Sequence, residues 1–247
     1  MDVLVVRDAQ AVAAGAAELF LEATAGATAA RGKALVALTG GTSAPPLFEE
    51  LRGALRRRIP WDKLHFFFTD DRAVPPSHPE SNYGLAQREL FSQVPVLDTQ
   101  VHRLHGEAND LAEEAQRYAS VIREIAGEPP RFDLVLLGLG PDGHICSLFA
   151  GRESSADRGD TDLVRHVPAP EHVEPHLDRL TLTPFPIVTA RSVALQVSSG
   201  KKAAVLEQTL RGKEDLVACP AQWLRHAVGR VVVFASREAA SKLEGQS

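Results

Sequence analysis

Three loops in this sequence gather residue types suited to acid–base chemistry or to holding anions, and each follows a short apolar run. In Phe132-Asp133-Leu134-Val135-Leu136-Leu137-Gly138-Leu139-Gly140-Pro141-Asp142-Gly143-His144, an Asp-x-His pair sits between glycines. An imidazole exchanges protons near neutral pH, and an adjacent carboxylate orients it and stabilises its protonated form. Asp142 and His144 are therefore candidates for a general-base pair, set against the plainer alternative of a surface turn. The same stretch satisfies G-x-G-x-x-G through Gly138, Gly140 and Gly143, the fingerprint of a dinucleotide site. Two features weaken that match. Asp142 would place a carboxylate where pyrophosphate should lie, and a charged excursion follows Phe149 where a helix and second strand are required.

The second loop, Leu38-Thr39-Gly40-Gly41-Thr42-Ser43-Ala44-Pro45-Pro46, runs from an apolar segment through two glycines and two hydroxyls into prolines suited to a helix's first turn. Such a loop can turn backbone N–H groups toward a phosphate while the helix terminus adds partial positive charge. It lacks the lysine and spacing of the nucleotide P-loop, and a capped strand-to-helix turn is the structural alternative. The third loop, Thr69-Asp70-Asp71-Arg72-Ala73-Val74-Pro75, offers Arg72 as an anion fork or as the partner of its own neighbouring acids. Ser81 or Asn82 is placed to cap the next helix. Two later cationic segments, Arg179-Leu180-Thr181-Leu182-Thr183 and Ser198-Ser199-Gly200-Lys201-Lys202, add charge that a phosphate would need.

Other pairings carry less. Cys146 lies two residues from His144, but such neighbours rarely point together, so a small buried thiol is the reading preferred. His172 and His176 have i, i+4 spacing with Pro175 inside the turn that would align them, and His102 and His105 are too isolated for zinc. No metal is expected.

These loops need elements to hold them. Apolar runs at Val3–Val6, Ala34–Leu38, Leu64–Phe68, Phe132–Leu137, Ser192–Val197 and Arg230–Phe234 read as strands, several covered on both faces. Helical spacing links Val12, Ala16, Leu19, Phe20, Ala23 and Ala27, and again Leu111, Ala115, Tyr118, Ile122 and Ile125. Further helices are predicted near Pro46–Arg57, Asn82–Phe91, Lys201–Leu210 and Arg237–Leu243. Residues Gly151–Pro175 read as a charged surface excursion with one strand at Leu163–Val167. The alternation predicts an α/β fold with a mostly parallel sheet, in one domain spanning 1–247.

The chain has 247 residues, 32 acidic and 27 basic, for a net charge of −5, with 44% hydrophobic and 24% charged residues. This composition opposes extended disorder, and the acidic balance opposes nucleic acid or an anionic membrane as the main partner. Two cysteines make no disulfide framework. The longest apolar runs fall far below the ~20 residues of a membrane span. A cytoplasmic protein is expected.

As a set, the loops resemble the 6-phosphogluconolactonase family. The resemblance rests on Leu38-Thr39-Gly40-Gly41-Thr42, on Asp71-Arg72-x-Val74-Pro75 through Ser81-Asn82, on Gly138-Leu139-Gly140-Pro141-Asp142-Gly143-His144 running into Ser147-Leu148-Phe149, and on Arg179-Leu180-Thr181-Leu182-Thr183. It implies a single-domain, Rossmann-like, sugar-phosphate isomerase-like α/β fold and no cofactor. It also implies hydrolysis of 6-phospho-D-glucono-1,5-lactone by a monomer, with weak self-association left open. His144 then serves as base and Asp142 as its orienting acid, while Gly40, Gly41, Thr42, Arg179 and Lys202 anchor the phosphate. Arg72 contacts either the phosphate or the lactone carbonyl. The chain departs from the family in having Asp71 where Glu is usual, and in a Gly200-Lys201-Lys202 spacing one residue short, for which Lys202 is the preferred equivalent. The alternatives are an amino-sugar-phosphate deaminase/isomerase, whose Phe-Asn-Glu pattern is missing, a non-catalytic sugar-phosphate sensor, and, last, a dinucleotide-binding oxidoreductase.

Overall fold

The structure, a computed structural model, describes residues 1–159 and 161–243. In chain order its elements are β1 (Asp2–Val6), α1 (Ala9–Arg31), β2 (Ala34–Leu38), α2 (Ala44–Arg52), β3 (Leu64–Phe68), β4 (Asp70–Arg72), α3 (Asn82–Glu89), α4 (Leu111–Ala126), β5 (Leu134–Gly138), β6 (Val164–Val167), β7 (Arg179–Leu182), α5 (Pro184–Val188), β8 (Ser192–Val197), α6 (Ala203–Arg211) and β9 (Arg230–Ser236). Six strands form a parallel sheet in the order β1-β9-β8-β5-β2-β3. The α/β architecture read from strand–helix alternation is the one observed.

Every residue of β2, and Leu134–Leu137 of β5, is buried, so the centre of the sheet is apolar on both faces, as a sheet covered by helices requires. The amphipathic stripe of α1, with Val12, Ala16, Leu19 and Phe20 at its centre, supplies part of that cover. Asp8 caps its start by accepting from the Ala11 N–H, and Gly32 ends it in a left-handed conformation.

From β2 the chain moves to β3 on one side, whereas from β5 it moves through β8 to β9 on the other. The strand order therefore switches between β2 and β5. In an open parallel sheet, that switch opens a crevice at the carboxyl ends of the strands. The loops after β2, β3, β5 and β8 all emerge there.

A second sheet, β4-β7-β6, is antiparallel and was not expected from the sequence. β4 is only Asp-Asp-Arg, too polar and short to show an apolar pattern. The Leu182 N–H donates to the Thr69 carbonyl at 2.7 Å, and the Thr69 N–H donates to Leu38 O at 2.9 Å, joining this sheet to the first. The strand within the charged excursion is present as β6; Asp160 of that excursion lies outside the described residues. The helix expected over Arg237–Leu243 is instead a run of turns. Its Ala239 and Ala240 are nevertheless buried in the core, so the segment packs there without the regular helical ladder. The helix near Pro46–Arg57 stops at Arg52, ahead of Gly53.

Candidate active site

The turn after β5 carries the acid–base pair. His144 Nδ1 lies 2.5 Å from Asp142 Oδ1, and the His144 N–H reaches the same oxygen at 3.3 Å. An ionised carboxylate only accepts, so Nδ1 is the donor in this bond, and in a neutral ring Nε2 is left as the acceptor. Asp142 is held ionised: burial works against the charge, but the hydrogen bond and the nearby imidazole of His144, with a further bond from His172, keep its carboxyl well below the usual range. The Phe149 ring stands edge-on to the His144 imidazole at 5.2 Å between centroids. Gly140 makes this seat. A Cβ there would lie 2.1 Å from His144 Nδ1, so no larger residue leaves the ring in place. No helix opens directly after Gly143, and the dinucleotide alternative thereby loses the helix terminus it needs.

Across the crevice lies a cationic wall. Arg72 on β4 and Arg179 on β7 are direct partners in the antiparallel register. Arg72 Nη1 donates to Glu80 O at 2.6 Å and to Asn82 Oδ1 at 2.8 Å, so neither neighbouring acid takes it as a bridge. Arg179 is 3% exposed; its Nη2 donates to Pro175 O at 2.7 Å, but Nη1 has no partner among the described residues. Burial, and then the nearby Arg72 charge, lower the pKa of Arg179. Like charges directly opposite on paired strands repel, and a buried donor left unpaired is costly. An anion in the crevice would relieve both.

The loop after β2 meets this wall. Gly40 packs so closely on Asn82 that a Cβ would fall 1.9 Å from Oδ1. Neither Gly40 nor Ser43 supplies a side-chain cap to the turn and helix that follow. Ala44 N–H is taken by Gly41 O, and Pro45 and Pro46 have no N–H, so the backbone donors this loop can turn to a ligand are those of Gly41, Thr42 and Ser43. Lys202 lines the same cleft and burial lowers its pKa, whereas Lys201 is exposed. All eight residues singled out from the sequence, Gly40, Gly41, Thr42, Arg72, Asp142, His144, Arg179 and Lys202, thus belong to one region. Seven of them line a cleft of about 370 Å³ and Asp142 stands directly behind His144.

Other cleft residues escaped the sequence reading. Asp70 points into the cleft with its Oδ2 accepting from Ser147 Oγ at 2.7 Å. Alternation could have found it, because Asp70 and Arg72 share one face of β4 while Asp71 faces the other way. Asp71 is 2% exposed and accepts from the N–H groups of Arg72, Asn82 and Tyr83. It fastens β4 to the start of α3, and burial pushes its carboxyl up to about 6 against those three N–H groups. Ser81 caps α3 by accepting from Gly84 N–H. His172, set aside because of Pro175, places Nε2 3.0 Å from Asp142 Oδ2. Cys146 lines the cleft, but burial pushes its thiol far up, which disfavours the reactive thiolate. Among the described residues no group of three metal-ligating side chains converges, and no helix is long and apolar enough to cross a membrane.

Residues 7–233 match the family described as glucosamine-6-phosphate isomerases/6-phosphogluconolactonase. The chain is 37% identical over 245 residues to a 6-phosphogluconolactonase of Mycobacterium tuberculosis, covering 96% of each. Among solved structures, a 6-phosphogluconolactonase from Trypanosoma cruzi superposes with a TM-score of 0.85 at 27% identity, covering 98% of this chain and 97% of that one. A monomeric glucosamine-6-phosphate deaminase shares the fold at a TM-score of 0.84 and 21% identity, covering 98% and 99%.

Proposed function

The chain belongs to the glucosamine-6-phosphate isomerase/6-phosphogluconolactonase family, and we propose that its chemistry is divided between His144 as general base and Arg72, Arg179 and Lys202 as phosphate anchor. The reaction is hydrolysis of 6-phospho-D-glucono-1,5-lactone to 6-phospho-D-gluconate, a step of the pentose phosphate pathway. The observation that carries the anchor is the pair of facing arginines, one with a buried donor that no described residue satisfies.

His144 Nε2 takes a proton from water as the water oxygen bonds to C1 of the lactone. Asp142 stabilises the imidazolium without taking its proton. When the bond between C1 and the ring oxygen breaks, the proton returns to that oxygen, so the base is regenerated. Gly40, Gly41 and Thr42 offer hydrogen-bond donors to the phosphate. Arg72 belongs with the phosphate and not with the carbonyl, because it stands opposite Arg179 and is fixed there by Glu80 and Asn82. One domain acting as a cytoplasmic monomer suffices, since each of these residues comes from the same chain.

The test compares the 6-phosphorylated lactone with plain gluconolactone. Charged hydrogen bonds contribute about 1.5–3 kcal/mol each, so losing all three corresponds to about three to six decades in kcat/KM. Arg179→Ala or Lys202→Ala should each remove about one to two decades from the phosphorylated substrate alone, while Lys201→Ala leaves it unchanged. Equal rates on both lactones in the wild type would overturn the anchor.

A further inference from the structure

Asp142 has two carboxylate oxygens, and each faces a different imidazole. Oδ1 lies 2.5 Å from His144 Nδ1 and Oδ2 lies 3.0 Å from His172 Nε2. The two histidines also share an aromatic wall, since the Phe149 ring is edge-on to His144 at 5.2 Å and to His172 at 6.4 Å. His172 belongs to none of the regular elements. It is delivered by the segment between β6 and β7, and that segment is pinned along its length. Asp178 accepts from Ala169 N–H at 2.9 Å and pairs with His166, Arg152 donates to Pro168 O and Ala169 O, and Arg179 holds Pro175 O. An exposed loop histidine with no task would need no such scaffold.

Building on the lactonase reading above, we propose that His172 is a positioning residue for the hydrolysis, fixing Asp142 through its second oxygen so that the first stays aligned on His144. A carboxylate tethered at one oxygen can swing about its Cβ–Cγ bond, while one tethered at both cannot. His172 also withdraws part of the charge that Asp142 offers to His144, which sets how readily His144 becomes protonated. The other charged groups around His172 are Glu171, Glu174 and His176 on its own segment, the Arg152 guanidinium stacked over Phe149, and Lys202 across the cleft. Among the described residues the hydrogen-bond partner of His172 is Asp142, and none of these other groups bonds to it.

The two effects separate in experiment. His172→Ala should lower plateau kcat by about fivefold, the factor of one ordinary hydrogen bond, with KM nearly unchanged. It should also move the acid limb of kcat upward by about half a pH unit, because the freed carboxylate charge favours imidazolium. The same upward displacement should appear in an NMR titration of the His144 ring, which needs no substrate. His172→Gln places an amide donor near the same point and should restore both parameters toward wild type. An unchanged acid limb and NMR titration in His172→Ala would overturn the proposal, as would a rise in KM with kcat intact. A wild type that hydrolyses no phosphorylated lactone would sink the lactonase reading itself, and the NMR comparison would still decide whether His172 tunes His144.

Discussion

Histidines meet at two places in this molecule, and their partners give them different chemistry. At the mouth of the crevice, His144 and His172 share the Asp142 carboxylate. Beside β3, His65 and His102 face each other with Nδ1 and Nε2 3.1 Å apart and their rings stacked, and Phe67 packs on His102 at 4.7 Å. Burial, with His65 and Arg117 adding to it, pushes His102 down to about 4. Burial and Lys33 lower His65 as well. One imidazole must accept what the other donates, so this pair is stable only while at least one ring is neutral. A carboxylate between two imidazoles prepares one of them to receive a proton. Two imidazoles face to face resist it. Residue type alone predicts neither behaviour.

The largest expected effect tests the functional half of that contrast. His144→Ala should lower kcat by about 10²–10⁴, the usual contribution of a positioned general base, whereas His102→Gln should leave kcat within a factor of about two. Steady-state assays on the two purified variants would settle it, and comparable losses in both would erase the distinction. Next comes Asp142→Asn, which keeps the shape but removes the charge that holds imidazolium. Its kcat should fall on the order of 10²-fold with little change in KM. A change confined to KM would make Asp142 a binding residue.

The smallest effect lies in stability. The folded-state pKa of His102 is depressed below the ordinary 6.5, so the unfolded chain takes up that proton first. The contribution is therefore fully present above pH 6.5 and is lost as pH falls toward about 4. His102→Gln should flatten that part of the Tm-versus-pH curve by a few degrees. Parallel curves for wild type and variant would show that another group governs acid lability.

Much of the site was legible because its parts follow strands that announce themselves. The apolar runs at Ala34–Leu38 and Phe132–Leu137 end in glycine loops, and parallel strands bring their carboxyl ends to one edge whatever their order. Gly40, Arg72, Asp142 and His144 came from that logic, Arg179 from a cationic segment, and Lys202 in preference to Lys201 from the family resemblance. His172 was hidden, because an irregular segment has no period from which to infer where a side chain arrives. The antiparallel sheet was hidden for a related reason: three polar residues in β4 become a strand only once β7 pairs with them. The turns at Arg237–Leu243 show the reverse failure, in which a helical composition and buried alanines are packed without a helical ladder.

The opposition of Arg72 and Arg179 across β4 and β7 bears on how such a protein can change over generations. Dissolved salt screens charges about 8–10 Å apart far better than neighbours on facing strands. The repulsion between the two guanidiniums is therefore a standing cost, offset in part by Asp70, Asp71 and Glu80 nearby. Replacing one arginine would relieve it at the expense of the bonds that arginine makes to Glu80 and Asn82 or to Pro175. A lineage following that route would lose its grip on phosphate in the same step. Persistence of both arginines in descendants of this sequence would then record continuing selection for a phosphorylated substrate, whereas loss of one would be an early sign that the crevice had been released to other ligands.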